Sequence, residues 1–192
     1  MNILIDLLPF EVEIEGKMYS INTDFRVAMM FESLMQDENI LDSEKGYMAL
    51  DLFYEVIPPN IPLAVEKIQW FYKCGKDNIK SEGFSNSNKT KNIYSFEHDD
   101  DYIYSAFLTQ YGIDLQDVEG LHWWKFKAMF KGLKEDNKIS KIMSYRSIVI
   151  DNDMSEEDKK YYREMKKVYA LPDLRSEEEK ELDFHNTLSN LI

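Results

Sequence analysis

The sequence predicts a mainly helical (α+β) protein with a short β-hairpin at its N-terminus. Three observations support this fold class. Apolar residues alternate with glutamates over residues 10–15, which is typical of a half-buried strand. From residue 24 onward, apolar residues recur at the spacing of amphipathic helices, and prolines or glycines separate the helical stretches. The 192 residues, 44% of them hydrophobic, suffice for a core without disulfides or a structural metal.

The alternating segment runs into a turn at Gly16 and predicts a hairpin with one buried face. The apolar residues expected on that face are Phe10, Val12 and Ile14. A first helix follows, and Asn22 or Thr23 is its expected cap. The side chains expected to face the core from this helix are Val27, Met30, Phe31 and Leu34.

Two more helices are expected before residue 75. The first spans about 43–57 and stops at Pro58-Pro59, because proline cannot continue a helix. Its apolar face consists of Tyr47, Leu50, Phe53, Tyr54 and Ile57. The second begins near Pro62, a residue that suits the first helical turn, and runs to Gly75. Its apolar face consists of Val65, Ile68, Phe71 and Tyr72.

The second half of the chain predicts four helical segments. An aromatic-rich helix ends at Gly112, and another carries Trp123, Phe126 and Phe130 on one face. Residues 139–150 have no clear pattern. Ser155, followed by three acidic residues, opens a helix that should end at Pro172. A last acidic helix is expected over about 176–190.

Composition suggests how these segments are organised. Residues 76–95 are rich in Ser, Asn and Lys and should form a flexible linker. It would separate an N-terminal part, 1–75, made of the hairpin and helices, from a helical C-terminal part, 96–192. We expect the two parts to pack together as one domain.

Charge and cysteine content exclude several classes of protein. The net charge of −13 argues against sequence-independent nucleic-acid binding, which depends on lysines and arginines that neutralise phosphates. One cysteine, Cys74, cannot form a disulfide within the chain. No apolar run reaches the roughly 18 residues of a membrane span, and the N-terminus lacks the positive charge of a signal peptide. A soluble protein of a reducing compartment is expected.

No motif in the sequence indicates catalysis or a cofactor. Phosphate-binding loops, dinucleotide fingerprints and nucleophile elbows are all missing. The most metal-like cluster is His98 with Asp99, Asp100 and Asp101. It could hold a divalent cation for a hydrolase, but position 102 is Tyr where a zinc-binding helix needs a second histidine. Acidic capping of a helix start is the favoured interpretation, and the protein is expected to be non-enzymatic, with no metal.

Residues 123–146, here called the basic aromatic strip, are the one plausible docking surface in the sequence. Residues 125–146 carry seven basic and two acidic residues in an otherwise acidic chain. Two interpretations stay open: a partner-binding surface anchored by aromatic and basic residues, or an amphipathic helix with its aromatics in the core. The expected contact residues are Trp123, Trp124, Lys127, Lys131, Lys134 and Arg146.

Several segments resemble one family. Residues 102–115, the Leu-His-Trp-Trp-Lys-Phe stretch at 121–126 and the Gly-Leu pair at 132–133 resemble small tail-morphogenesis proteins of siphophages and prophages of Gram-positive bacteria. The Asp-Phe-Arg stretch at 24–26 and the Tyr-Arg pair at 145–146 agree with that family. Its genes lie near those for the major tail and tape-measure proteins.

The resemblance implies a tail assembly chaperone in the host cytoplasm. Such a protein would bind the aggregation-prone tape-measure protein before the tail tube polymerises around it. The major tail protein is a second expected partner, and a homo-oligomer is left open. The family supplies no catalytic residues. Two alternatives remain: a structural virion component, such as a head–tail connector or tail part, and the metal-dependent hydrolase.

Overall fold

The computed structural model describes residues 1–37, 39–76 and 93–172. It confirms a mainly helical fold with an N-terminal hairpin. The chain divides into two compact units, 1–147 and 148–192. Helices from both sides of 76–95 pack within the first unit. Most of the expected linker, 77–92, and the expected helix at 176–190 lie outside the described residues.

Strands β1 (Glu11–Ile14) and β2 (Lys17–Ser20) form the antiparallel hairpin. Gly16, at the turn, has a φ of +78°, a conformation that glycine adopts without steric cost. Val12 and Ile14 are buried, as expected. The expectation for Phe10 is wrong: it lies before β1, and its exposed ring packs edge-on against His122.

Helices α1 (Phe25–Gln36), α2 (Asp42–Phe53) and α3 (Ile61–Tyr72) follow. The cap of α1 is Asp24, whose Oδ1 accepts a hydrogen bond from the Arg26 N–H at 2.9 Å. Asn22 acts one step earlier, since its side chain accepts from the Asp24 N–H. The cap expected at Asn22 or Thr23 therefore lies one or two residues later, at Asp24.

Helix α2 ends four residues earlier than expected. Tyr54 leaves the helix in an extended conformation, and its buried hydroxyl donates to the Ala64 carbonyl of α3 at 3.0 Å. This tertiary hydrogen bond keeps Tyr54 out of the helix, so α2 ends before the two prolines. Tyr47 of α2 and Met30 of α1, both expected in the core, are exposed.

Helices α4 (Asp100–Tyr111), α5 (Trp123–Lys131) and α6 (Lys138–Ser147) complete the first unit. Gly112 ends α4 with a φ of +65°, as expected. Helix α6 falls where the sequence showed no clear pattern, and it buries Ile139 and Ile142. These two residues are only one turn apart, so the apolar stripe is too short to stand out.

The core of the first unit is built around aromatic rings of α5. Phe126 stacks on Phe107 of α4, with ring centroids 4.7 Å apart, and on Phe25 of α1 at 5.1 Å. Aromatic pairs at these distances add stability beyond the apolar area that they bury. One helix thus ties together the two halves of the sequence.

The second unit is described over residues 148–172. Its helix α7 (Glu156–Val168) is capped by Ser155, whose Oγ accepts from the Asp158 N–H at 3.1 Å, as the sequence predicted. The helix stops at Val168, before Pro172. No residue of α7 is buried. None of the described helices is long and apolar enough to cross a membrane.

Candidate partner-binding site

The two tryptophans of the basic aromatic strip are core residues. Trp123 and Trp124 are both buried, and each indole N–H is used inside the protein. Trp123 Nε1 donates to the Tyr72 carbonyl at 2.9 Å, and Trp124 Nε1 donates to the Phe71 carbonyl at 2.7 Å. They cover the end of α3 and expose almost none of their surface to a partner. The amphipathic-helix interpretation accounts for both.

The segment before α5 explains why these rings face inward. His122 caps the helix: its Nδ1 accepts from the Trp124 N–H at 3.1 Å. Its Nε2 lies 3.1 Å from the Pro9 carbonyl and therefore carries the proton. Burial lowers the pKa of His122, which favours this neutral form. Because both ring nitrogens of His122 are hydrogen-bonded, this residue fixes the direction in which α5 begins.

Two of the segments that carried the family resemblance meet here. The Phe25 N–H donates to the Leu121 carbonyl at 3.0 Å, and the Trp123 N–H donates to the Thr23 carbonyl at 2.7 Å. This short antiparallel bridge joins the starts of α1 and α5. The Asp-Phe-Arg and Leu-His-Trp-Trp stretches are thus one structural junction.

Lys127 lies inside a polar cluster of the first unit. Its ammonium faces the Trp123 ring at 4.8 Å from the centroid and donates to the Tyr94 hydroxyl at 3.3 Å. The buried carboxyl group of Glu32 accepts a short hydrogen bond from the Tyr72 hydroxyl. Burial lowers the pKa of Lys127 and raises that of Glu32. These side chains serve packing between helices, and Lys127 is not an open contact residue.

Arg146 is also engaged within the fold. Its guanidinium holds Asp99 through two hydrogen bonds, of 2.6 and 2.9 Å, and donates to the Ile93 carbonyl at 3.1 Å. Both side chains of this ion pair are almost fully buried. The pair fastens α6 to the start of α4, which assigns the Tyr-Arg stretch a structural role. It also fixes residue 93, which the sequence had placed in the flexible linker.

The metal-like cluster is dispersed. Asp99 is bound by Arg146 and accepts from the Ser95 N–H at 2.9 Å, whereas His98, Asp100 and Asp101 are exposed. Asp100 and Asp101 lie in the first turn of α4, where negative charge is favourable. Among the described residues, no group of three or more His, Cys, Asp or Glu is arranged to hold a metal.

Cys74 has a structural environment as well. It is partly buried between Tyr72 and Gly75, and burial raises the pKa of its thiol. Gly75 adopts a φ of +66°, and a Cβ at this position would lie 2.8 Å from the Trp124 ring. The close approach of the Trp124 ring therefore requires glycine here.

Lys131 and Lys134 are the two predicted contact residues that lie fully at the surface. Lys125, Lys138 and Lys141 are exposed as well. What remains of the basic aromatic strip is therefore a basic surface without exposed tryptophan.

The most exposed apolar side chains lie elsewhere, in residues 1–10, here called the N-terminal segment. Leu4, Ile5 and Leu7 are 90%, 79% and 93% exposed. A turn shapes the segment: the Asn2 carbonyl accepts from the Asp6 N–H at 2.8 Å. The apolar content of this run is visible in the sequence, but it was weighed there only as a signal peptide.

A second exposed apolar surface lies between α1 and α2. Met30 and Leu34 of α1 and Met48 and Leu52 of α2 line a shallow groove of about 400 Å³, with Asp51 at its edge. We call it the α1–α2 groove. Sequence reasoning missed it because Met30 was expected in the core.

Comparison with known proteins gives one family. Residues 4–171 match the family described as Bacteriophage Gp15 protein. This match spans most of the chain, so the protein belongs to that family, and the phage origin implied by the resemblance is confirmed. Family membership indicates a phage structural or assembly protein. Neither the curated proteins nor the solved structures include a match.

Proposed function

We propose that the protein is a tail assembly chaperone that binds the phage tape-measure protein in the host cytoplasm and catalyses no reaction. Family membership supports a role in phage assembly. The tape-measure protein as partner follows from the resemblance to tail-morphogenesis proteins encoded beside it. The major tail protein is the second candidate partner for the same reason.

The exposed N-terminal segment is the observation that carries this proposal. Leu4, Ile5 and Leu7 fall within four consecutive positions and have almost no cover from the rest of the chain. Contiguous exposed apolar residues on a folded chain typically mark a protein–protein contact. A tape-measure protein is long and aggregation-prone, so it offers the apolar surface that such residues would cover.

The acidic charge fits the same role. A net charge of −13 opposes self-association of this chain and would keep its complex with an apolar partner in solution. Lys131 and Lys134 remain candidates for polar contacts at the margin of that complex, since both side chains are exposed.

Co-expression with the tape-measure protein tests this function. The tape-measure protein alone should be insoluble, and with this protein it should co-elute in size-exclusion chromatography. The variant Leu4→Ser/Leu7→Ser should reduce co-elution, while Lys17→Ser on the hairpin serves as an exposed control. A tape-measure protein that stays insoluble with the wild-type chain would refute the chaperone proposal. The same experiment with the major tail protein compares the two partners.

A structural virion component is the second candidate. The turn formed by Asn2 and Asp6 favours it, because a preorganised apolar segment suits a permanent contact in an assembled particle. Mass spectrometry of purified particles separates the two roles. A chaperone should be absent from mature particles, whereas a component should be present in fixed proportion to the other tail proteins.

A further inference from the structure

The α1–α2 groove is lined by two short rows of apolar side chains, one from each helix. Met30 and Leu34 are one turn apart on α1, and Met48 and Leu52 are one turn apart on α2. Side chains of a third helix pack into the spaces that such rows leave between them. The two methionines are 49% and 44% exposed, and their flexible thioethers adapt to differing apolar partners.

Two acidic residues of α2 lie in and beside the groove. Asp51 lines it, and Glu44 lies one turn before Met48 on the same helix. Both are exposed and form no ion pair within the described part of the chain.

The two basic residues of α1 and α2 are engaged within the fold. Arg26 donates to the carbonyls of residues 115, 116 and 118 at 2.7 to 3.3 Å. Lys45 donates to a main-chain carbonyl of α1 at 3.2 Å and pairs with Asp42 at 3.7 Å.

We propose that the α1–α2 groove docks the apolar ridge of an amphipathic helix whose flanks carry lysine or arginine. The apolar floor accounts for the ridge, and the unpaired Asp51 and Glu44 account for the basic flanks, because complementary charges orient and select a partner. The proposal rests on the proposed function in taking this helix to be part of the tape-measure protein. The apolar ridge and the basic flanks expected of this helix, however, follow from the groove itself.

A second copy of this chain is a poorer occupant. Its own basic surface, on α5 and α6, has the right charge for the acidic rim. However, the large apolar side chains of that region, such as Phe126 and Phe130, are buried and offer no ridge. The exposed N-terminal segment has apolar side chains, but its charged residue is Asp6, which the acidic rim would repel.

Labelled synthetic peptides test the chemistry directly. Two amphipathic helices of about five turns would share a leucine ridge and differ only in lysine or glutamate flanks. Fluorescence anisotropy with the full chain should show binding of the lysine peptide and at least about ten-fold weaker binding of the glutamate peptide. Equal affinity for both peptides would overturn the proposed charge selectivity.

Substitutions in the groove locate the site. Met30→Gln/Met48→Gln should weaken binding of the lysine peptide by about ten-fold or more, because the apolar floor is lost. Met30→Leu/Met48→Leu should bind within about two-fold of the wild type, since it keeps the apolar surface. Unchanged affinity of the glutamine variant would overturn the proposal. Dimerisation of the wild type that the glutamine variant abolishes would overturn it too, in favour of a second copy.

Solubilisation of the tape-measure protein then distinguishes the groove proposal from the proposed function. If the wild-type chain binds the lysine peptide but fails to solubilise the tape-measure protein, the groove stands and the proposed function falls. If the wild type and Met30→Gln/Met48→Gln solubilise the tape-measure protein equally well, the function stands and the groove assignment falls.

Discussion

Helix α5 and the α1–α2 groove differ in what the sequence and the structure indicate about them as binding surfaces. The sequence favours α5, whereas the structure leaves the apolar side chains of the groove accessible. Helix α5 holds the densest aromatic and basic sequence of the chain, yet its tryptophans are buried and bind carbonyls of α3. The groove contains no tryptophan or arginine, yet Met30 and Met48 are half exposed. Residue types that dominate interfaces also dominate cores, so composition alone does not locate a binding surface.

The charged residues of the two regions also differ in whether the fold itself uses them. Lys127 and Arg146 look like surface cations in the sequence, but each is satisfied inside the fold by aromatic rings or a carboxylate. Around the groove, Asp51 and Glu44 remain exposed without an ion pair among the described residues. The charges available to a partner are therefore those that the fold does not use.

The largest expected effect is on the buried ion pair. Arg146→Ala should lower the free energy of unfolding by about 3–5 kcal/mol, because it leaves the Asp99 carboxylate buried without its partner. Urea denaturation measures this change. Lys141→Ala, on the exposed face of the same helix, should stay within about 0.5 kcal/mol of the wild type. A loss below about 1 kcal/mol for Arg146→Ala would contradict the structural role.

A smaller effect is expected at Trp124. Trp124→Phe removes the N–H that binds the Phe71 carbonyl and should lower the free energy of unfolding by about 1–3 kcal/mol. The folded variant should bind its partner as the wild type does, because the ring does not reach the surface. Weaker partner binding by the fully folded variant would restore the tryptophan as a contact residue.

The buried carboxyl group of Glu32 should make the free energy of unfolding decrease as the pH rises. Burial raises the pKa of Glu32 above its ordinary value of 4.5. As the pH rises past 4.5, the unfolded chain releases this proton while the folded chain holds it, so the carboxyl group destabilises the fold progressively. The stability of the wild type relative to Glu32→Gln should therefore fall as the pH rises above about 4.5. A relative stability that rises over this range would show that Glu32 is stabilised as a carboxylate.

The smallest effect is expected on the exposed basic surface. Lys131→Glu/Lys134→Glu should lower recovery of the tape-measure protein by no more than about five-fold, since exposed charge pairs contribute about 0–1 kcal/mol. Lys17→Glu/Lys73→Glu, at two exposed lysines outside α5 and α6, controls for the change in net charge. Complete loss of recovery would make the basic surface, rather than the groove, the principal contact.

Local signals predicted much of the fold correctly. Gly112, Pro62 and Ser155 mark helix ends or starts because their effects are confined to neighbouring backbone groups. Helix α6 and the early end of α2 were missed, since both depend on tertiary contacts. Tyr54 leaves its helix for a carbonyl ten residues away. Local sequence patterns do not contain that information.

The site was harder to predict for the same reason. Arg146 pairs with Asp99 across 47 positions, and Trp123 binds a carbonyl 51 positions away. Helical spacing correctly grouped Met30 with Phe31 and Leu34. It could not show that Met30 lies at the edge of that face, because the edge is set by where α2 packs.

Hydrogen–deuterium exchange on the complex with the tape-measure protein would show which surface of this chain the partner covers. We expect new protection in the N-terminal segment and in α1 and α2, over 25–36 and 42–53, with little change in α5, whose aromatic face is already buried in the free chain. Protection confined to α5 and α6, with α1 and α2 exchanging as in the free protein, would contradict this expectation.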